Sequence, residues 1–476
     1  MCSTSPPRTR DRLNGSDDDF FTKYRSKLKP DELHDPAKIS LPPYYPDTPM
    51  VRNIWARYYD LITFMDKQVS DLLAQLEEDG LADDTIVFFF SDHGMGLPRF
   101  KRTLYDSGLH VPLIVRFPSG YRRMSPQAPG GRSNRLVSFV DFAPTVLSLA
   151  GVSIPGYMQG VAFLGPDAGP ARDYVFGAAS RVDEVYELSR SVRDKRYNYI
   201  RNYMPHLPYI QPSEYPDRAE IMQELRRVVA EGKLTGVQKQ FWGPTKPVEE
   251  LYDTTADPHE IHNLANSSKH QRVLERMRKV HRQWVSDTRD VGFLSEAEMH
   301  IRAEGSTPYE IAREPDKFPL QRIFAAAELV GKGRGKLAQL VELLQDEDGA
   351  ARYWATVGLT VLGPQAQPAS EHLGELLTDP QPNVRFAAAG VLCKLGLCRD
   401  ALPVLAQGLT DERETVVLHA AREIQGIGAK ACPIVPQIKA AQARCKNPDG
   451  SYKNNNHAMF IDWALKYALA NCQQQL

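Results

Sequence analysis

At 476 residues, 42% of them hydrophobic and 25% charged, the chain has the composition of an ordinary globular protein with room for two or three domains. Its 58 Lys and Arg stand against 59 Asp and Glu, so a formal net charge of -1 gives no electrostatic reason to expect nucleic acid or an acidic membrane as partner. No run approaches the roughly 20 apolar residues of a bilayer span, and the opening MCSTSPPRTRDRLNGSDDDFF has no stretch resembling a signal peptide, so the chain as written is not expected to be exported; its compartment stays open.

In chain order, residues 1–50 are polar and proline-rich, ending in LPPYYPDTP, and read as an irregular segment laid over a surface. From Val51 to Leu81 the residues Ile54, Tyr58, Leu61, Ile62, Met65, Val69, Leu72, Leu73 and Leu76 recur at three- and four-residue steps, which predicts one face of a long helix stopped at Gly80. Thr85 to Phe90 (TIVFFF) is too short for a helix and reads as a strand buried on both faces. Val111 to Phe117 (VPLIVRF) reads as a second buried strand, and Asp141 to Ala150 as a capped helix. Helix beside buried strand implies an α/β layer over 51–174. From about residue 175 to 290, short alternating pieces such as SVRDKRYNYIRN and an amphipathic helix from about His270 to Asp287 predict a smaller α+β unit. Residues 291–319 read as a linker.

The last third, 320–476, repeats. Asp346, Asp379 and Asp411 open similar stretches, and Gly363, Gly396 and Gly428 keep the same register at their ends. Each unit reads as an apolar helix, a turn and an Ala-rich helix (ARYWATVGLTVLG, VRFAAAGVLCKLG, VVLHAAREIQGIG). Such pairs bury their apolar faces only by stacking, the pattern of a HEAT-like helical solenoid. A terminal segment with Phe460, Trp463, Leu465 and Leu469 is expected to cap it. The six cysteines, Cys2, Cys393, Cys398, Cys432, Cys445 and Cys472, form no C-x-x-C pair and are expected to be buried free thiols rather than a zinc site or a disulfide framework.

Chemistry concentrates after TIVFFF, at Ser91, Asp92, His93, Gly94 and Met95. Ligands of open α/β sheets collect at the carboxyl ends of strands, so Asp92 and His93 stand where a site would be. The carboxylate offers hard oxygen to Ca²⁺ or Mg²⁺, or with the imidazole a mixed site for Zn²⁺. The plainer reading is that Asp92 caps a turn and His93 is a satisfied loop histidine. Eight residues on comes Lys101, in KRTLYDSGLHVPLIVRFP, otherwise readable as a solvated loop lysine.

Residues 58–118 together resemble the sulfatases of the alkaline-phosphatase superfamily, whose pattern runs from a helix and a D-N-T-I-V strand through S-D-H-G to K-x-T-x-Y-E-G-G-x-R-V-P and a second strand. RSVRDKRYNYIRN (190–202) and ELYDTTADPHEIHNLA (250–265) resemble the same family's small-domain hairpin and its LYDL-x-x-DP-x-E-x-x-N-L signature. The resemblance implies Asp92 as a carboxylate ligand of a divalent cation, usually calcium, His93 at the neighbouring ligand position, and Lys101 as the lysine that contacts sulfate oxygens. It implies a sulfated carbohydrate or other sulfate ester as substrate. Ser107 departs from the first glycine of the usual pair, and His110 from a frequent arginine.

The family's nucleophile is a formylglycine made from cysteine or serine in C-x-P-x-R or S-x-P-x-R, and neither motif is present; Cys2 is followed by Thr4 and Pro6 in the wrong places, and Asp17, Asp18 and Asp19 lack a preceding strand. One carboxylate and one imidazole do not hold Ca²⁺, which takes six to eight oxygens. The expectation is a truncated sulfuric ester hydrolase, inactive alone. Its expected fold is α/β, a partial alkaline-phosphatase-like sheet layer plus a small α+β subdomain, followed by an all-α HEAT-like solenoid. The alternatives are a non-catalytic scaffold whose solenoid binds a protein partner, and a metal-dependent phosphodiesterase of the same superfamily.

Overall fold

The computed structural model describes residues 23–453 and 456–473; Cys2 and the acidic run Asp17 to Asp19 lie outside them. Helix α1 spans Pro49–Glu78. The Thr48 hydroxyl accepts the Val51 N–H at 3.2 Å, Pro49 fills the first turn where no N–H is needed, and Gly80 follows with φ 71°. Its first two turns bury Val51, Ile54 and Trp55 against Tyr44, Tyr45 and Phe100, so the end of the proline-rich segment is core rather than surface dressing. Beyond Asp60 no residue of α1 is fully buried, although the apolar stripe continues to Leu76.

Strands β1 (Val87–Phe90) and β2 (Leu113–Arg116) pair antiparallel, with Phe90 opposite Leu113. Both were expected to be buried on two faces, and neither is: Phe90 is 43% exposed and Ile114 60%. Composition reports what a strand could bury, and among the described residues no further strand extends this two-stranded sheet. Helix α2 (Phe142–Leu149) follows, its Phe142 ring 4.9 Å from that of Phe90.

The second sheet runs β3 (Val175–Ala179), β4 (Ser189–Arg193), β5 (Tyr197–Asn202) and β6 (Glu249–Asp253), antiparallel throughout. Between β5 and β6 lies α3 (Glu220–Ala230). Helix α4 (Gln271–Thr288) lays Leu274 and Met277 onto Val192, Tyr199 and Leu251 of the sheet. Residues 291–319, expected to act as a linker, are instead packed: Phe293 and Ile311 have no exposed surface, and α5 (Glu296–Arg302) buries Glu298 completely. One apolar core runs from Leu188 and Tyr203 through Phe293 into the last helices.

The helical third is a solenoid. After α6 (Leu320–Glu328) come α7 (Leu337–Leu343) with α8 (Gly349–Leu362), α9 (Ser370–Glu375) with α10 (Pro382–Lys394), and α11 (Cys398–Gly408) with α12 (Glu414–Gly426). Then α13 (Val435–Arg444) pairs with α14 (Asn456–Gln473). The repeated glycines have a backbone reason: Gly363, Gly396 and Gly428 end α8, α10 and α12 with φ 57°, 92° and 61°, where a Cβ would be strained. Arg352 joins neighbouring units by donating to both oxygens of Asp379 at 2.6 and 2.9 Å. The face formed by α8, α10, α12 and α14 is occupied by the chain itself: Trp354 Nε1–H donates to the Phe293 carbonyl, Asn383 to Glu298, and Lys466 to Glu214, while His419 lies 5.3 Å from the Tyr186 ring.

Cys432 and Cys472 are disulfide-bonded, which corrects the expectation of free thiols; Cys393, Cys398 and Cys445 are free. Sequence spacing is silent here because α14 folds back over 40 residues to bring the two Cα atoms within 5.4 Å. Replacing Cys472 by serine is expected to lower stability by about 3 kcal/mol, since the bond closes a long loop of the unfolded chain. Urea unfolding with and without reductant checks this; an unchanged midpoint would refute it. Among the described residues no helix is long and apolar enough to cross a membrane.

Candidate functional site

Two loops meet beyond the end of β1. In the first, the Ser91 hydroxyl donates to the His93 carbonyl at 2.6 Å and curls the chain back. Asp92 is exposed, with its side chain 79% accessible, and its Oδ1 lies 3.4 Å from His93 Nε2. His93 Nδ1 lies 2.7 Å from the Gly94 carbonyl oxygen, which only accepts, so Nδ1 carries a proton. A carboxylate oxygen and an imidazole nitrogen thus lie side by side, two groups of the kind that ligate a cation. Among the described residues no third His, Cys, Asp or Glu joins them as a metal cluster. The pair therefore does not by itself fit a calcium shell of six to eight oxygens.

The second loop carries Lys101. Its backbone N–H donates to the Met95 carbonyl at 2.9 Å, and Gly94 N–H donates to the Gly108 carbonyl at 3.0 Å. Both glycines are required by this approach: a Cβ on Gly94 would stand 2.1 Å from the Ser107 carbonyl oxygen, and one on Gly108 2.4 Å from that of Phe100. The structure thus brings the segments holding Asp92, His93 and Lys101 into one backbone-bonded unit. Lys101 is half-buried.

Residues given no role from the sequence hold that unit to the second sheet. The Arg99 guanidinium lies between the rings of Tyr44 and Tyr105, 4.2 and 3.9 Å from their centres, and donates to the carbonyls of His259 and Glu260 at 2.9 and 2.7 Å. Glu260, almost wholly buried, accepts the Asp106 N–H at 2.6 Å and the Asn198 amide at 2.7 Å. Burial and then the nearby Asp106 charge push its pKa up to about 7. Arg193 grips both oxygens of Asp106 at 2.9 and 3.0 Å, and Asp106 is held at about 2 despite its burial by His110, 3.7 Å away, and by the hydrogen-bonded Arg193. The tyrosine of K-R-T-L-Y donates to buried Glu250 at 2.9 Å, and Tyr252 donates to the same carboxylate at 2.7 Å. The motif pieces 99–108, 193–202 and 250–260 are thus parts of one junction. Their recurrence in one chain was the available signal; their contacts were not readable. Of the two departures, Ser107 donates through its hydroxyl to the Arg99 carbonyl at 2.7 Å, and His110 sits exposed beside Asp106, which raises its pKa.

Residues 5–152 match the Sulfatase family model, residues 99–246 the N-sulphoglucosamine sulphohydrolase C-terminal model, and residues 337–425 the HEAT repeats model. Among relatives, an ulvan-active sulfatase of Formosa agariphila is 43% identical over 287 residues, 60% of this chain and 47% of that protein. Human N-sulphoglucosamine sulphohydrolase is 29% identical over 279 residues, 54% of this chain and 53% of that one. The chain spans about half the length of these curated relatives. Among solved structures, phosphonate monoester hydrolase of Agrobacterium radiobacter aligns with TM-score 0.34 and 20% identity, over 49% of this chain and 42% of that one.

Proposed function

We propose, from a chain that is sulfatase-related through residue 246 and carries HEAT repeats at 337–425, that its two bonded loops form one wall of a site for hydrolysing sulfate esters. In this reading Asp92 and His93 are two ligands of a divalent cation, calcium, whose chemistry when bound is to hold and polarise the sulfate oxygens. Lys101 supplies a fixed positive charge for the oxygens of the transferred group, stabilising charge that grows in the transition state. The nucleophile and the remaining ligands are contributed by polypeptide outside these 476 residues. A sulfated carbohydrate is the substrate class, in keeping with the names of the relatives.

The observation that carries this reading is the joining of the Asp92–Met95 and Phe100–Gly108 segments by two backbone hydrogen bonds and two glycines that tolerate no side chain. The half-covered sheet supports it: Phe90, Ile114, Phe139, Val140 and Val146 are all exposed, and an isolated two-stranded sheet is marginal in water. Co-expression with the N-terminal half of a related sulfatase is expected to give aryl-sulfate hydrolysis that chelator abolishes and calcium restores. Soluble, associated halves with no hydrolysis would count against the proposal. The alternative reading is a scaffold whose solenoid binds a protein partner; on the face of α8, α10, α12 and α14 such a partner would meet the chain's own Tyr186, Glu214, Phe293 and Glu298.

A further inference from the structure

Five non-glycine residues among those described have left-handed backbone: Arg99 (φ 66°), Arg102 (φ 73°), Asp183 (φ 53°), Glu260 (φ 50°) and Arg289 (φ 51°). Arg289 ends α4, an ordinary place for such a residue. The other four meet in pairs. Arg99 donates to the carbonyl of Glu260 at 2.7 Å, and Arg102 donates to the Asp183 carboxylate at 2.7 Å. These conformations cost free energy in any residue with a Cβ and persist only where surroundings impose them. The two arginines stand on either side of Lys101, and their partners belong to two separate turns flanking the second sheet.

We infer that Arg99 and Arg102 are positioning residues for Lys101, holding the backbone from which its side chain leaves by anchoring both flanks to the turns at Asp183 and Glu260. This deepens the sulfatase reading and rests on it for the role of Lys101, but not for the hold itself. A lysine charge is useful in a transition state only if it is already in place, since a mobile loop would spend interaction energy on ordering. Arg99 is the inner anchor, enclosed by Tyr44 and Tyr105 and bonded to two carbonyls. Arg102 is the outer one, partly exposed and bonded to one carboxylate. The small subdomain, remote from the β1 terminus in sequence, therefore sets the geometry of the site.

The test uses the full chain and the variant Arg102→Gly, because glycine adopts φ 73° without strain and removes the anchor together with the cost. Amide exchange at Lys101 to Leu104 is expected to quicken by about tenfold or more, with the melting temperature unchanged or raised and exchange in β3 to β6 unaltered. Asp183→Asn should produce the same local loosening from the partner's side. Unchanged exchange in both variants overturns the inference. In the co-expressed enzyme, Arg102→Gly should lower kcat about tenfold with KM little changed, and Arg102→Lys should recover part of it. In a Lys101→Ala background the same change should have no further effect; an equal loss there would show that Arg102 does not act through Lys101. If the unsubstituted pair has no activity, the sulfatase reading fails while the exchange result still decides the hold.

Discussion

If the co-expressed pair hydrolyses sulfate esters as proposed, replacing Lys101 by alanine is expected to lower kcat by about 100- to 1,000-fold, the usual cost of deleting one preorganised group facing developing negative charge. The substitution leaves the loop's framework in place, because the bond from residue 101 to the Met95 carbonyl uses the backbone, and the Gly94 to Gly108 bond does not involve the side chain. The loss should therefore appear in turnover, with both of these backbone bonds retained. Lys101→Arg should recover only part, since a planar guanidinium on a longer stem presents its charge differently from an ammonium. Steady-state kinetics with an aryl sulfate distinguish the outcomes. A loss smaller than tenfold would remove Lys101 from the chemistry and return it to the loop lysine that its residue type alone suggests.

The second large effect concerns stability. Asp290→Ala is expected to destabilise the fold by about 4 kcal/mol, because it strands a buried charge. Arg190, on β4, is 2% exposed and donates to both oxygens of Asp290, at 2.5 and 3.0 Å, as well as to the carbonyls of Ala179 and Ser189. The pair ties the second sheet to the segment entering the solenoid, and Asp290 also caps the turn at Gly292. The double change Arg190→Met with Asp290→Ala should recover most of the loss, since replacing a buried pair by apolar volume is often close to neutral. Denaturant unfolding of the single and double variants checks the argument. If Asp290→Ala costs less than about 1 kcal/mol, the pair behaves as a surface ion pair and its burial has no energetic consequence.

Much of the chain was legible because its signals are local and periodic. The stripe from Ile54 to Leu76 marks α1, while its start at Thr48 and Pro49, inside the segment that reads as irregular, came from the structure. The alternating run at 190–202 marks β4 and β5, and the glycines at 363, 396 and 428 mark the register of the solenoid because each must take a left-handed backbone. The candidate residues were legible for a different reason. Asp92, His93 and Lys101 were picked out by the short motifs that hold them, in which Gly94 and Gly108 permit a close backbone approach.

What tertiary structure alone decided was everything that depends on which distant surfaces meet. β1 and β2 have the apolar content of buried strands, yet their exposure follows from the layers present around them, which no window of sequence reports. Cys432 and Cys472 pair because a helix folds back. Residues 291–319, polar enough to read as a linker, are pinned by Phe293, Glu298 and Ile311 into the core shared by the second sheet and the repeats. The strained hold on Lys101 joins residues about 80 and 160 positions apart, by side chains whose types are common and whose spacing carries no period. By itself the sequence determined the kinds of elements and the chemical groups available to a site; packing determined what covers those elements and what holds those groups still.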